Sequence, residues 1–179
     1  MRFRTSLALL LTIGTLLCGT CPAAAPADDA CASFKWDVTK ERALFSGSAV
    51  AVSAGKDIKS APRVLPDRLY ELKLVPQDQV AFLIAPGKKR PVDGASAGLA
   101  VLRIGTPGTY RVSVNIPFWI DVALNGTLLA SKDFQGAQGC DAPHKIVEFE
   151  FSAAQDFVMQ LSGATSPSVR MTVTKSPAH

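Results

Sequence analysis

Tyr110-Arg-Val-Ser-Val-Asn-Ile-Pro-Phe-Trp-Ile-Asp-Val-Ala-Leu-Asn-Gly126 is the stretch that decides the fold. Tyr110, Val112 and Val114 alternate with Arg111, Ser113 and Asn115, and after Pro117 the alternation resumes with Ile120, Val122 and Leu124. A period of two sends alternate side chains to opposite sheet faces, so each run predicts a half-buried strand. Asn125-Gly126 predicts a tight hairpin, because a type I′ turn needs positive φ at both central residues and Asn-Gly tolerates it best. Thr127-Leu-Leu-Ala130 then returns, and Thr106-Pro-Gly108 turns the chain on the other side.

The same pattern recurs outward. Upstream, Tyr70, Leu72 and Leu74 share one face while Glu71 and Lys73 take the other. Val80 to Ile84 is a short apolar run closed by Ala85-Pro-Gly-Lys-Lys-Arg-Pro91, and Gly98 to Ile104 is a further strand. Downstream, Val147, Phe149 and Phe151 alternate with Glu148 and Glu150, and the sets Phe157/Met159/Leu161 and Val169/Met171/Val173 follow. Gln135 to Pro143 reads as a polar loop holding Cys140. Near the front, Phe34, Trp36 and Val38 suggest a short strand, Thr39 to Phe45 one or two helical turns, and Ser46 to Pro66 a weak strand with loop. The total is about eight or nine strands, with spacers too short for crossover helices. The expectation is an all-β chain, an antiparallel β-sandwich of jelly-roll type, with a closed barrel as the second arrangement.

The first 25 residues carry a different pattern. Arg2 and Arg4 precede an uncharged apolar run from Leu7 to Leu17, and small residues close it at Ala23-Ala-Ala25. This is the layout of a secretory signal peptide, and the run is too short to span a bilayer. The organisation is therefore a signal peptide over 1–25, a flexible N-terminal tail over 26–32 and a single β-sandwich domain over 33–175. Cys18 and Cys21 raise lipidation, but Leu17 and Thr20 are poor residues to precede a lipidated cysteine. The expected location is exported, periplasmic or extracellular, with no transmembrane segment in the mature chain. In that oxidising setting the remaining pair, Cys31 and Cys140, reads as one disulfide. A closed loop of that size corresponds to about 4.7 kcal/mol in the chain-entropy treatment.

The chain has 19 basic and 15 acidic residues. Loss of Arg2 and Arg4 with the leader leaves a near balance, which argues against nucleic acid as a partner. Catalytic constellations are scarce. The two histidines are His144 and the terminal His179, and no Gly-x-Ser-x-Gly elbow names a nucleophile. No residue is assigned a catalytic or metal-binding role, and no cofactor is implied. The candidate binding residues are Lys88, Lys89 and Arg90, a basic cluster in a Pro-bounded loop, and Trp119 with Asp121. Trp119 is out of phase with Ile120, Val122 and Leu124, so it points to the other sheet face with a carboxylate beside it. That arrangement can offer a stacking platform or an interface anchor; the alternative is a tryptophan covered by a loop or by the segment around Trp36.

Pro107 to Val114, Trp119 to Gly126 and Cys140 to Gly163 resemble the small secreted β-sandwich modules appended to bacterial peptidases and glycan-active enzymes. Cys31-Ala-Ser-Phe-Lys-Trp36 and the Trp119-Ile-Asp-Val122 strand are similar to a group of small exported proteobacterial proteins. Some of that group carry the name homogentisate 1,2-dioxygenase, which implies non-haem iron; two histidines cannot build the histidine-rich site that iron needs. The resulting expectation is a non-catalytic binding or interaction module of the periplasm or cell envelope, with a glycan or envelope component as ligand. The alternatives are an enzyme, either that dioxygenase or a small hydrolase using His144, and a structural envelope protein.

Overall fold

The computed structural model describes residues 29–88 and 92–177. The leader, Lys89 and Arg90 therefore lie outside the described residues. A 3-10 helix, Ala30–Ser33, and a helix α1 (Thr39–Phe45) come first. The strands follow: β1 (Val50–Ser53), β2 (Arg63–Val64), β3 (Leu69–Lys73), β4 (Val75–Pro76), β5 (Ser96–Arg103), β6 (Gly108–Val114), β7 (Trp119–Leu124), β8 (Thr127–Leu128), β9 (Ser131–Gly136), β10 (Lys145–Phe151), β11 (Asp156–Ala164) and β12 (Ser168–Lys175).

The strands form two sheets. The first has the order β1-β3-β12-β6-β10-β9; the second has β2-β5-β11-β7-β8, with β4 beside β5. Most neighbours are antiparallel, but β1 runs parallel to β3 and β2 parallel to β5. Both sheets are thus mixed rather than wholly antiparallel. The twelve strands among the described residues exceed the eight or nine expected: β2 and β4 are only two residues long and carry no periodic signal, and β9 lacks a hydrophobic alternation.

One core joins the two sheets. Tyr70, Leu72, Val112, Val147 and Val173 of the first sheet cluster with Leu102, Ile120, Val122, Phe157 and Leu161 of the second. Phe151 lies between them, with its ring centroid 5.6 Å from Tyr110 and 4.5 Å from Phe157, both edge-on. These edge-to-face contacts add about 0.5–1.5 kcal/mol per pair beyond the burial itself. The Asn125-Gly126 turn forms as its chemistry requires, with φ of 50° and 77°. Helix α1 covers the stretch read as helical.

Three local expectations are corrected. Phe34 to Val38 is not a strand. Its alternation does report burial, since Phe34 and Val38 pack on Ala137, Cys140 and Ile146, but no ladder pairs its backbone. Val80 to Ile84 is an irregular loop, because Leu83 and Ile84 bond a glutamine side chain rather than a neighbouring strand. Conversely, β9 begins before and runs into the stretch read as a polar loop. It is an edge strand without a buried residue, so it carries no hydrophobic alternation.

The polar halves of the alternating strands are not all solvated. Arg111, Ser113, Glu148, Thr172 and Thr174, on the outer face of the first sheet, are buried. The N-terminal segment covers them. Arg111 is 2% exposed. Its Nε donates to Glu148 Oε1 at 2.9 Å and its Nη1 donates to the Asp37 carbonyl at 2.9 Å. Glu41 of α1 stands 3.9 Å from the guanidinium, and the Trp36 ring centroid lies 4.7 Å from it. The Cys31–Cys140 disulfide forms as expected, with Cα atoms 4.9 Å apart, and ties the start of this segment to the loop before β10 across 109 residues.

Arg111→Met should lower stability by about 3–5 kcal/mol, because it leaves Glu148 and Glu41 buried without their cation. Urea unfolding measures this; a loss below about 1 kcal/mol would mean that the ion pairs do not hold the N-terminal segment in place.

Candidate functional site

The outer face of the second sheet is covered by residues 77–88. Gln160, buried on β11, holds this loop like a backbone partner. Its Oε1 accepts from the Leu83 and Ile84 amides at 2.8 and 3.2 Å, and its Nε2 donates to the Ile84 carbonyl at 3.0 Å. Asp121 on β7 holds the loop's far end. One of its oxygens accepts from Trp119 Nε1 at 2.8 Å and the other from the Gly87 amide at 3.0 Å. The approach is close: a Cβ on Gly87 would stand 3.0 Å from Asp121 Oδ1, so the carboxylate would have to shift to admit one.

At the start of β7 the two sheets part. β8 pairs only with Ala123 and Leu124, and the Leu129 amide adds one more bond to the Val122 carbonyl. The chain then crosses to the other sheet as β9, where Phe134 stands opposite Val147 of β10. Cross-strand partners share a face, so Phe134 faces the same side as the buried Val147. The second sheet does not extend over it, and Phe134 is 67% exposed.

The result is an open groove of about 1470 Å³. Its apolar wall includes Phe118, Ile120, Leu129, Phe134, Val147 and Phe149, and its polar part includes Lys88, Trp119, Asp121 and Lys145. It exceeds the roughly 300–1,000 Å³ of ordinary small-ligand sites. Trp119 is half-buried at this mouth. The Lys88 and Lys145 ammonium nitrogens lie over its ring, 5.5 and 5.4 Å from the centroid. Lys145 Nζ also donates to the Phe118 carbonyl at 2.8 Å, linking β10 of one sheet to the residue before β7 of the other. Among the described residues neither lysine has a carboxylate within ion-pair distance. Burial, and then the charge of Lys88, push the Lys145 ammonium below the usual lysine range, while Asp121 opposes the shift.

Three of the residues singled out from sequence, Lys88, Trp119 and Asp121, thus meet at one groove. Asp121 stands there as a holder, with both oxygens engaged inside the protein. Lys145 carried no sequence signal, since it is one lysine at a loop-to-strand boundary and its role depends on the parting of the sheets. Phe134 was equally silent inside a polar stretch. His144 is half-buried, is not part of the groove wall, and joins the fold through its backbone, donating to the Val114 carbonyl and accepting from the Ala137 amide. Among the described residues no three His, Cys, Asp or Glu side chains gather as a metal-ligand group. No protein-family model matches the chain, and no curated protein or solved structure matches it.

A lowered pKa leaves more of the neutral, nucleophilic amine at any pH below the ordinary lysine range. At pH 8, Lys145 should therefore react with a small amine-directed acylating reagent ahead of the exposed Lys56 and Lys59. Peptide mass spectrometry over a time course checks this, and equal rates would remove the claim. Asp121→Ala should expose the Gly87 amide to faster hydrogen exchange, because it deletes that amide's acceptor.

Proposed function

We propose that this protein is an exported, non-catalytic binding module of the cell envelope, and that its ligand lies in the groove between β7 and β9. The observation that carries this reading is the parting of the two sheets at a half-buried tryptophan bearing two lysines without carboxylate partners. A protein surface normally covers such apolar walls unless something is to be received there. The two-sheet architecture and single core support a sandwich of jelly-roll type, the scaffold also implied by the resemblance to secreted accessory modules. The disulfide is compatible with an oxidising compartment. Among the described residues no helix is long and apolar enough to cross a membrane.

The two tryptophans make the test direct. Trp36 is packed on Arg111, so Trp36→Phe leaves Trp119 as the single reporter in the groove. Titration of that variant with acidic and neutral glycans, amphiphiles and extended peptides should give a saturable change in Trp119 emission for one class. The same ligand should bind at least tenfold more weakly to Lys145→Gln with its fold intact by circular dichroism. No saturable change with any class would overturn the proposal.

A further inference from the structure

The groove combines an apolar wall with one cationic end. The wall is built partly from core residues: Val147 and Phe149 are 5% and 1% exposed, and Val147 stands opposite the exposed Phe134 across the β9–β10 pair. A flat surface cannot reach these two buried residues; a chain has to enter. At the other end, two ammonium groups share one indole. Like charges gathered at one end repel each other, and an anion bound there relieves that repulsion.

Asp121 lies at this end too and offsets part of its positive charge, while each of its oxygens accepts one N–H, from Trp119 and from Gly87. Asp78 and Asp93 also border the groove, are exposed, and belong to the segments before β5. Their charge disfavours an anion placed beside them.

We infer that the groove receives a single-chain anionic amphiphile as a free monomer, its head at Lys88 and Lys145 and its aliphatic chain along Phe134, Leu129, Val147 and Phe149. This rests on the groove reading above and names the ligand class for it. Lys145 is held to the Phe118 carbonyl and so presents a fixed charge. Lys88 is exposed and can close over the head.

The probes are dodecanoate, decanoate and the neutral 1-decanol, all kept monomeric and titrated into Trp36→Phe. Dodecanoate should bind at one equivalent, with decanoate about tenfold weaker for the two methylenes it lacks. Decanol should bind more weakly than decanoate. Lys88→Gln should weaken decanoate about tenfold, the range of one charge-assisted hydrogen bond, and leave decanol unchanged. Phe134→Ser should weaken both. Both positions are exposed, so both variants should fold, and unchanged urea midpoints check that. Decanol binding as tightly as decanoate, no effect of Lys88→Gln on decanoate, or binding only to anionic vesicles would each overturn the inference. If neither amphiphile saturates but a glycan or peptide shifts Trp119 emission, the groove reading stands and the amphiphile falls. If nothing shifts it, both fall.

Discussion

The burial of Arg111 is the constraint on which the rest of this structure depends. A guanidinium cannot be removed from water without partners, because the desolvation cost of an isolated charge is several kcal/mol. Its partners come from separate parts of the chain: Glu148 from β10, the Asp37 carbonyl from the N-terminal segment, and Glu41 from α1. Satisfying one side chain therefore fixes the N-terminal segment across the outer face of the first sheet. The disulfide then anchors the start of that segment to the loop before β10. With that face closed, and the outer face of the second sheet largely closed by residues 77–88, the seam where the sheets part stays open as a groove.

The seam follows from a short strand. β8 is too brief to continue the second sheet past Val122, so the chain joins the first sheet as β9 instead. The inner side of β9 then has nothing above it. Phe134 there stays exposed, and its core neighbours Val147 and Phe149 line the groove as well. Lys145 bridges the same gap by bonding the Phe118 carbonyl, which sets the width of the mouth on that side. Its ammonium is held where burial disfavours charge. The bond that positions it and the site that lowers its pKa have the same origin, the separation of two sheets joined by one core.

Much of the scaffold was legible in the residues. The period-two runs found β3, β5, β6, β7, β10, β11 and β12, and Asn125-Gly126 gave its hairpin through positive φ. The even cysteine pair gave the disulfide. What was hidden shares one cause. Periodicity reports whether a side chain is buried, not what its backbone bonds to. Phe34 to Val38 buries alternate side chains as a crossing segment, Val80 to Ile84 is apolar yet bonds to Gln160, and β9 is paired yet buries nothing. The parallel pairings of β1 and β2 also lay beyond local pattern, since they join residues far apart in the chain.

Polar residues on the non-core faces were the least legible, and they decide the site. In sequence, Arg111, Glu148 and Asp121 look like the solvated half of amphipathic strands. In the fold each is buried and committed to a structural bond. Asp121 illustrates the consequence. A carboxylate beside an outward tryptophan reads as a ligand contact, yet this buried carboxylate uses each oxygen to accept an N–H from inside the protein, from Trp119 and from Gly87. Its charge still favours the Lys145 ammonium beside the same indole. The acid therefore shapes the mouth, and the lysines, which retain hydrogen-bond donors without carboxylate partners, are the groups able to meet a ligand. On the proposed reading, a site assembled in this way would favour negative charge at its polar end.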